Sequence, residues 1–180
     1  MTWLNSDGLF IRFGNEMAVN GRGGDLPAET DHFIEFDLNY TDALSATFTI
    51  VNDAAGGNGI LVPKKARIKY VEFTVLTPFT SSGTIGSSVL SLGLKRASDR
   101  STEIDHDGFT TVAFVGSVLD AAGEYTRVVP GVTGAGVKIG ADSDATYPGL
   151  VVVANTAHAT HPFTAGKVRV RICHTFLANT

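Results

Sequence analysis

The densest group of possible metal ligands in the sequence is the stretch Asp99, Glu103, Asp105, Asp107 and Gly108, with Asp142-Ser-Asp144 further along. A calcium ion takes about six to eight oxygen ligands, and a loop that folds back on itself can bring several carboxylates to one point. Asp105-His-Asp107-Gly108 matches only a fragment of such a loop, without the full ligand order and its closing Glu. From Asp99 to Asp107 the expectation is therefore solvated turn carboxylates. His158-Ala-Thr-His161 has the spacing that lets two imidazoles on a helix clamp a metal, but Thr160 and Pro162 favour looped or extended chain. No carboxylate follows closely enough in sequence to complete a ligand set, so His158 and His161 are expected in a polar loop. No metal and no cofactor are predicted.

Nucleophilic catalysis finds equally little to work with. There is no Gly-x-Ser-x-Gly elbow, and Gly131-Val-Thr-Gly-Ala-Gly136 lacks the Lys-Ser/Thr of a phosphate loop. Cys173 is the sole cysteine, so no internal disulfide forms, and its place in an alternating run predicts a packed thiol over a nucleophile. The chain reads as a non-enzyme with no catalytic residues. Trp3, Tyr125 and Tyr147 lie in or near expected loops, where aromatic rings stack on sugars in lectin-like sandwiches. A carbohydrate-binding module is thus the alternative reading.

These residues must be positioned by strands. Apolar residues make up 43% of the 180 positions and charged residues only 18%, with a net charge of −4, which leaves a charge-poor surface suited to being covered by a partner. The basic residues are scattered, which argues against nucleic acid, and no apolar run approaches the ~18 residues of a membrane span. A soluble protein made in a cytoplasm is expected. Runs rich in β-branched and aromatic residues, bounded by Gly, Pro, Asn or Asp, predict strands at 9–13, 32–39, 46–51, 67–76, 89–95, 110–114, 136–139, 150–154 and 167–176.

Three of these runs alternate with the period of two that marks a half-buried strand. Ile34, Phe36, Leu38 and Tyr40 oppose Glu35, Asp37 and Asn39; Leu90, Leu92 and Leu94 oppose Ser91, Gly93 and Lys95; Val168, Val170 and Ile172 oppose Arg169, Arg171 and Cys173. Each is expected to bury one face and wet the other. In the run from Arg67 the phase changes near Tyr70, which predicts a bulge or a change of sheet. A short helix is expected at 117–122, closed by Gly123. The result is an all-β, antiparallel sandwich over 32–180, preceded at 1–31 by a strand and an extended arm that a neighbour would order.

The opening Met1-Thr-Trp-Leu-Asn-Ser-Asp-Gly-Leu-Phe-Ile-Arg-Phe-Gly14 and the closing Phe163-Thr-Ala-Gly-Lys-Val-Arg-Val-Arg-Ile172 resemble segments of small virion structural proteins of tailed bacteriophages. Asp105-His-Asp-Gly-Phe109 and the stretch through 150–154 have the same character. The resemblance implies a jelly-roll-like sandwich that decorates or cements a capsid, or less often sits in the tail. It also implies a virion location, contact with the major capsid protein, and self-association, a trimer being one such homo-oligomer. It carries no functional residues across.

Overall fold

The computed structural model describes residues 2–4, 10–12, 31–52, 59–63, 66–105, 108–110, 118–129 and 149–176. Their regular structure is β, apart from short 3-10 turns at Tyr40–Ala43 and Ile85–Ser87. The strands are β1 (Thr2–Leu4), β2 (Phe10–Arg12), β3 (His32–Asn39), β4 (Thr49–Ile50), β5 (Leu61–Val62), β6 (Ala66–Ser81), β7 (Leu90–Arg96), β8 (Glu103–Asp105), β9 (Tyr125–Val128), β10 (Gly149–Asn155) and β11 (Phe163–Phe176). β1 and β2 form an antiparallel pair, the one described part of the expected arm at 1–31.

The other strands form two antiparallel sheets. One runs β3-β11-β6-β9; in the other β4 and β5 share one side of β10, whose far side carries β7 and then β8. Phe36 and Leu38 from β3, Val71, Phe73 and Val75 from β6, and Val168, Val170 and Ile172 from β11 meet Leu90, Leu92 and Leu94 from β7 and Val151 and Val153 from β10 in one apolar core. This core joins the two sheets face to face, as the alternation in β3, β7 and β11 requires.

The phase change in β6 is a bulge. Ile68 lies opposite His174 and Tyr70 opposite Cys173, so Lys69 is the extra residue, and both Ile68 and Val71 stay on the core side. The expectation of one wet face fails for β7, and β10 is buried on both sides. Ser91 and Gly93 are buried along with Leu92, and Leu150, Val152 and Ala154 are buried although they lie on the side of β10 away from the core. Leu150 is held closely there, since a Cβ on Gly59 would stand 2.9 Å from both Leu150 Cδ2 and Ile50 Cγ2.

The helix expected at 117–122 shortens to 3-10 geometry at Val118, after which 119–122 run as bends and a turn to Gly123, the expected closing glycine, at φ +83°. The reason lies in β6, which satisfies this backbone sideways. Phe79 N donates to Leu119 O at 2.8 Å, Val75 N to Glu124 O at 2.9 Å, and Gly123 N to Val75 O at 2.8 Å. The strand expected at 46–51 shrinks to Thr49–Ile50, and Thr110 lies in a turn where its hydroxyl accepts the Leu92 N–H at 3.0 Å. The expected strand at 136–139 and the rest of 110–114 lie outside the described residues. β1, β5, β8 and β9 were not expected.

Candidate interaction face

The outward side of the β3-β11-β6-β9 sheet carries its chemistry in rows, because residues opposite one another in adjacent strands share a face. The pairings Glu35–Arg171, Arg171–Glu72 and Glu72–Arg127 form one row of alternating charge across all four strands. Next to it runs Asp37–Arg169–Thr74–Tyr125, and on the other side Phe33–Cys173–Tyr70.

Glu72 is the hub of this face. It is nearly buried, and its Oε1 accepts from the Tyr125 hydroxyl at 2.5 Å and from Arg127 Nη2 and Nε at 2.6 and 3.1 Å. Arg171 Nη1 stands 3.9 Å from Glu72 Oε2. The Tyr125 hydrogen bond, reinforced by the guanidiniums of Arg127 and Arg171, holds the Glu72 carboxyl below its ordinary value against the opposing effect of burial. Asp37 is lowered in the same way, by Arg169 first and Lys167 second, whose nitrogens lie 2.9 and 2.8 Å from its oxygens.

The aromatic residues join the charges. The Arg171 guanidinium carbon sits 3.8 Å from the Phe33 ring centroid, and that of Arg127 sits 4.2 Å from the Tyr70 ring. Such stacking holds each guanidinium flat over the sheet and costs it mobility. Under this layer Cys173 is fully buried though it belongs to the outward row, and burial pushes its thiol above the ordinary value. It is a packed thiol, as expected, although the alternation assigned it to the wet face of β11.

The residues first singled out for chemistry are used by the fold. Asp99 closes its own turn, accepting from the Thr102 hydroxyl at 2.5 Å and from the backbone N–H groups of Thr102 and Ser101 at 2.9 and 3.0 Å. These bonds lower it to about 2, the Thr102 hydroxyl having the largest effect. Glu103 and Asp105 fall in β8, while Asp107 and Asp142-Ser-Asp144 lie outside the described residues. His158 and His161 sit in the turns after β10, as expected for a loop. His161 Nδ1 accepts the Thr84 N–H at 3.2 Å, and its carbonyl accepts from Ser88 Oγ and Asn155 Nδ2, both at 2.9 Å. Among the described residues no group of three or more metal-ligating side chains comes together. In a cavity of about 320 Å³ near Thr41, Asp42, Thr49 and Asn52, two of the polar side chains are engaged locally, Asp42 Oδ2 accepting from Asn39 N and the Thr49 hydroxyl donating to Asp42 O.

Of the aromatic residues considered for sugar stacking, Tyr125 lies on a strand and its hydroxyl is taken by Glu72; Tyr147 lies outside the described residues. Sequence reasoning missed the ladder itself. One signal pointed to it: the outward positions of β3 are acidic at Glu35 and Asp37, and those of β11 are basic at Lys167, Arg169 and Arg171.

Comparison with protein-family models, curated proteins and solved structures finds no match. No helix among the described residues is long and apolar enough to cross a membrane.

Proposed function

We propose that this chain is a structural subunit of a virion, a jelly-roll-like decoration or cement protein that associates with itself and attaches to the major capsid protein. The observation that carries the reading is the outward face built on Glu72. Its charged and aromatic side chains are fixed against one another by hydrogen bonds and ring stacking. A face ordered in advance loses little conformational entropy when a partner covers it, and that favours a contact surface over a reaction centre. The low charge content and the resemblance at the two ends of the sequence support the same reading.

The mechanism is mass action: each copy that binds only the assembled particle adds to the stability of that particle. The protein acts as shape and surface, without catalysis, in a virion assembled in the host cytoplasm.

Size-exclusion chromatography with light scattering on the full chain tests the first half of the proposal, and co-sedimentation with purified, undecorated tailed-phage capsids tests the second. Masses above a single chain, with saturable binding to capsids, are expected. A full chain that stays monomeric, ignores capsids and binds sugars on a glycan array would replace the proposal with the carbohydrate-binding reading.

A further inference from the structure

Among the described residues β3 pairs only with β11 and β9 only with β6, so the described part of the sheet ends in a strand carrying Glu35 and Asp37 on one side and a strand carrying Arg127 on the other, and the two sides match. At the β9 side stand Tyr125, Arg127 and Val129, and at the β3 side Asp37, Glu35 and Phe33. Tyr125, Val129 and Phe33 are 54%, 64% and 44% exposed, and the Arg127 and Glu35 side chains 50% and 52%.

We infer that copies of this chain join edge to edge, β9 of one against β3 of the next, so that the sheet and its charge ladder continue from molecule to molecule. The inference rests on the self-association proposed above and names its surface and register. Because neighbouring strands alternate in direction across the sheet, β3 of the next copy runs antiparallel to β9, as the pattern already in place requires.

One register aligns all three rows. The row Glu35–Arg171–Glu72–Arg127 continues into the next copy's Glu35, which meets Arg127. That guanidinium spends Nε and Nη2 on Glu72, leaving its Nη1 side for a second carboxylate. The row ending in Tyr125 continues into the next copy's Asp37. The ladder Val71–Val128, carried one residue further, sets Val129 beside Tyr70, so the next copy's Phe33 falls against Val129. The symmetric pairings centred on the charged residues fail: β3 against β3 about Glu35 opposes two carboxylates, β9 against β9 about Arg127 opposes two guanidiniums, and other symmetric registers of these strands bring no carboxylate to Arg127. The contact is therefore head to tail, and it closes a ring or continues as a filament. β9 is only four residues long, short of what a stable interface of ~1,200 Å² needs, so each contact is weak and assembly depends on every copy making two.

The test uses full-length chains carrying Glu35→Lys or Arg127→Glu, with mass read by light scattering over a concentration series at low salt. Each variant alone is expected to fall toward the single-chain mass. Equimolar mixing restores association between unlike variants, as alternating filaments or even-numbered rings or at least mixed pairs, because the introduced lysine then faces the introduced glutamate while native Glu35 faces native Arg127. Circular dichroism checks that each variant folds. Should Arg127→Glu fail to fold beside Glu72, oxidative cross-linking decides: a chain with both Glu35→Cys and Arg127→Cys gives a ladder of disulfide-linked species, and either single substitution gives none. Wild-type association that survives Glu35→Lys, or linked dimers of the Glu35→Cys chain alone, would overturn the edge-to-edge contact and leave self-association standing. A wild-type chain that stays monomeric at every concentration would remove both.

Discussion

Gly166 lies directly against the ring of Phe79. A Cβ there would stand 2.3 Å from Phe79 Cγ, and the backbone sits at φ +135°, where L side chains are strained. Phe79 cannot retreat easily, because it is fully buried and meets Phe163 edge-on with centroids 5.0 Å apart. Gly166→Ala therefore combines backbone strain with overpacking, each costing about 1–3 kcal/mol. Urea unfolding is expected to show a loss of about 2–4 kcal/mol with the m-value unchanged; a loss below half a kcal/mol would mean that β11 relaxes freely at this point.

Replacing Glu72 by Gln removes the anion that Arg127, Arg171 and Tyr125 share. Hydrogen bonds to a charged group contribute about 1.5–3 kcal/mol where they are sheltered from water. Glu72 is sheltered but Arg127 is half exposed, so a loss at or somewhat below the lower end of that range, about 1–2 kcal/mol, is expected for Glu72→Gln in thermal or urea unfolding. An unchanged midpoint would show that the ladder is ornamental to the fold.

Stability should fall with acid in two stages. The folded-state values of Glu72, Asp37 and Asp99 lie below their ordinary 4.5, 3.8 and 3.8, so their contribution is complete above those values and drains away as the pH drops, down to about 2 for Asp99. His174 acts earlier. Burial, with a smaller effect from His32 at 5.6 Å between ring centroids, lowers it from 6.5, so the unfolded chain takes up its proton first and stability declines as the pH falls below 6.5. Urea midpoints measured from pH ~7.5 to ~2.5 should decline first near the ordinary histidine range and again near the carboxylate range. A flat profile between pH ~7 and ~5 would contradict the reading of His174.

In the core, Leu92 is fully buried between the sheets, whereas Leu76 is 40% exposed at the irregular part of β6. Leu92→Ala should cost about 2–4 kcal/mol and Leu76→Ala less than about half a kcal/mol. Reversal of that order in a denaturant series would place the core elsewhere.

Cys173, buried under Tyr70 and the charged rows, reports opening of the sheet. A thiol reagent should label it fully in denaturant and, in native buffer, at a rate that tracks local or global unfolding. Labelling as fast as that of a free thiol in native buffer would show that this face does not close over it.

The sequence revealed the parts of the fold that local patterning specifies. Phe36 and Leu38, the three leucines of β7, and Val168, Val170 and Ile172 are legible because a period of two follows directly from strand geometry, and the bulge at Lys69 is legible as a break in that period. β9 was hidden because Tyr125-Thr-Arg-Val has just one buried residue, Val128. The segment before it looked helical because its hydrogen-bond partners in β6 are far off in sequence. The site escaped for a related reason: Glu72 and Arg127 are 55 positions apart, and the tie between them comes from strand order. Alternation tells which way a side chain points, but not which strand lies alongside.

The order of strands in the β3-β11-β6-β9 sheet also governs when the molecule becomes competent. Arg169 and Asp37, paired across β11 and β3, are 132 positions apart. During synthesis β3 emerges early and waits for β11 as its neighbour, with Phe36 and Leu38 exposed until residues 163–176 arrive. Pairing over such a separation is slow, and a waiting apolar strand invites aggregation, so chaperone cover matters more here than for a fold of local hairpins. The acidic edge gains its hydrogen-bonded neighbour only when β11 seats beside it, so the self-association proposed above has to await that pairing.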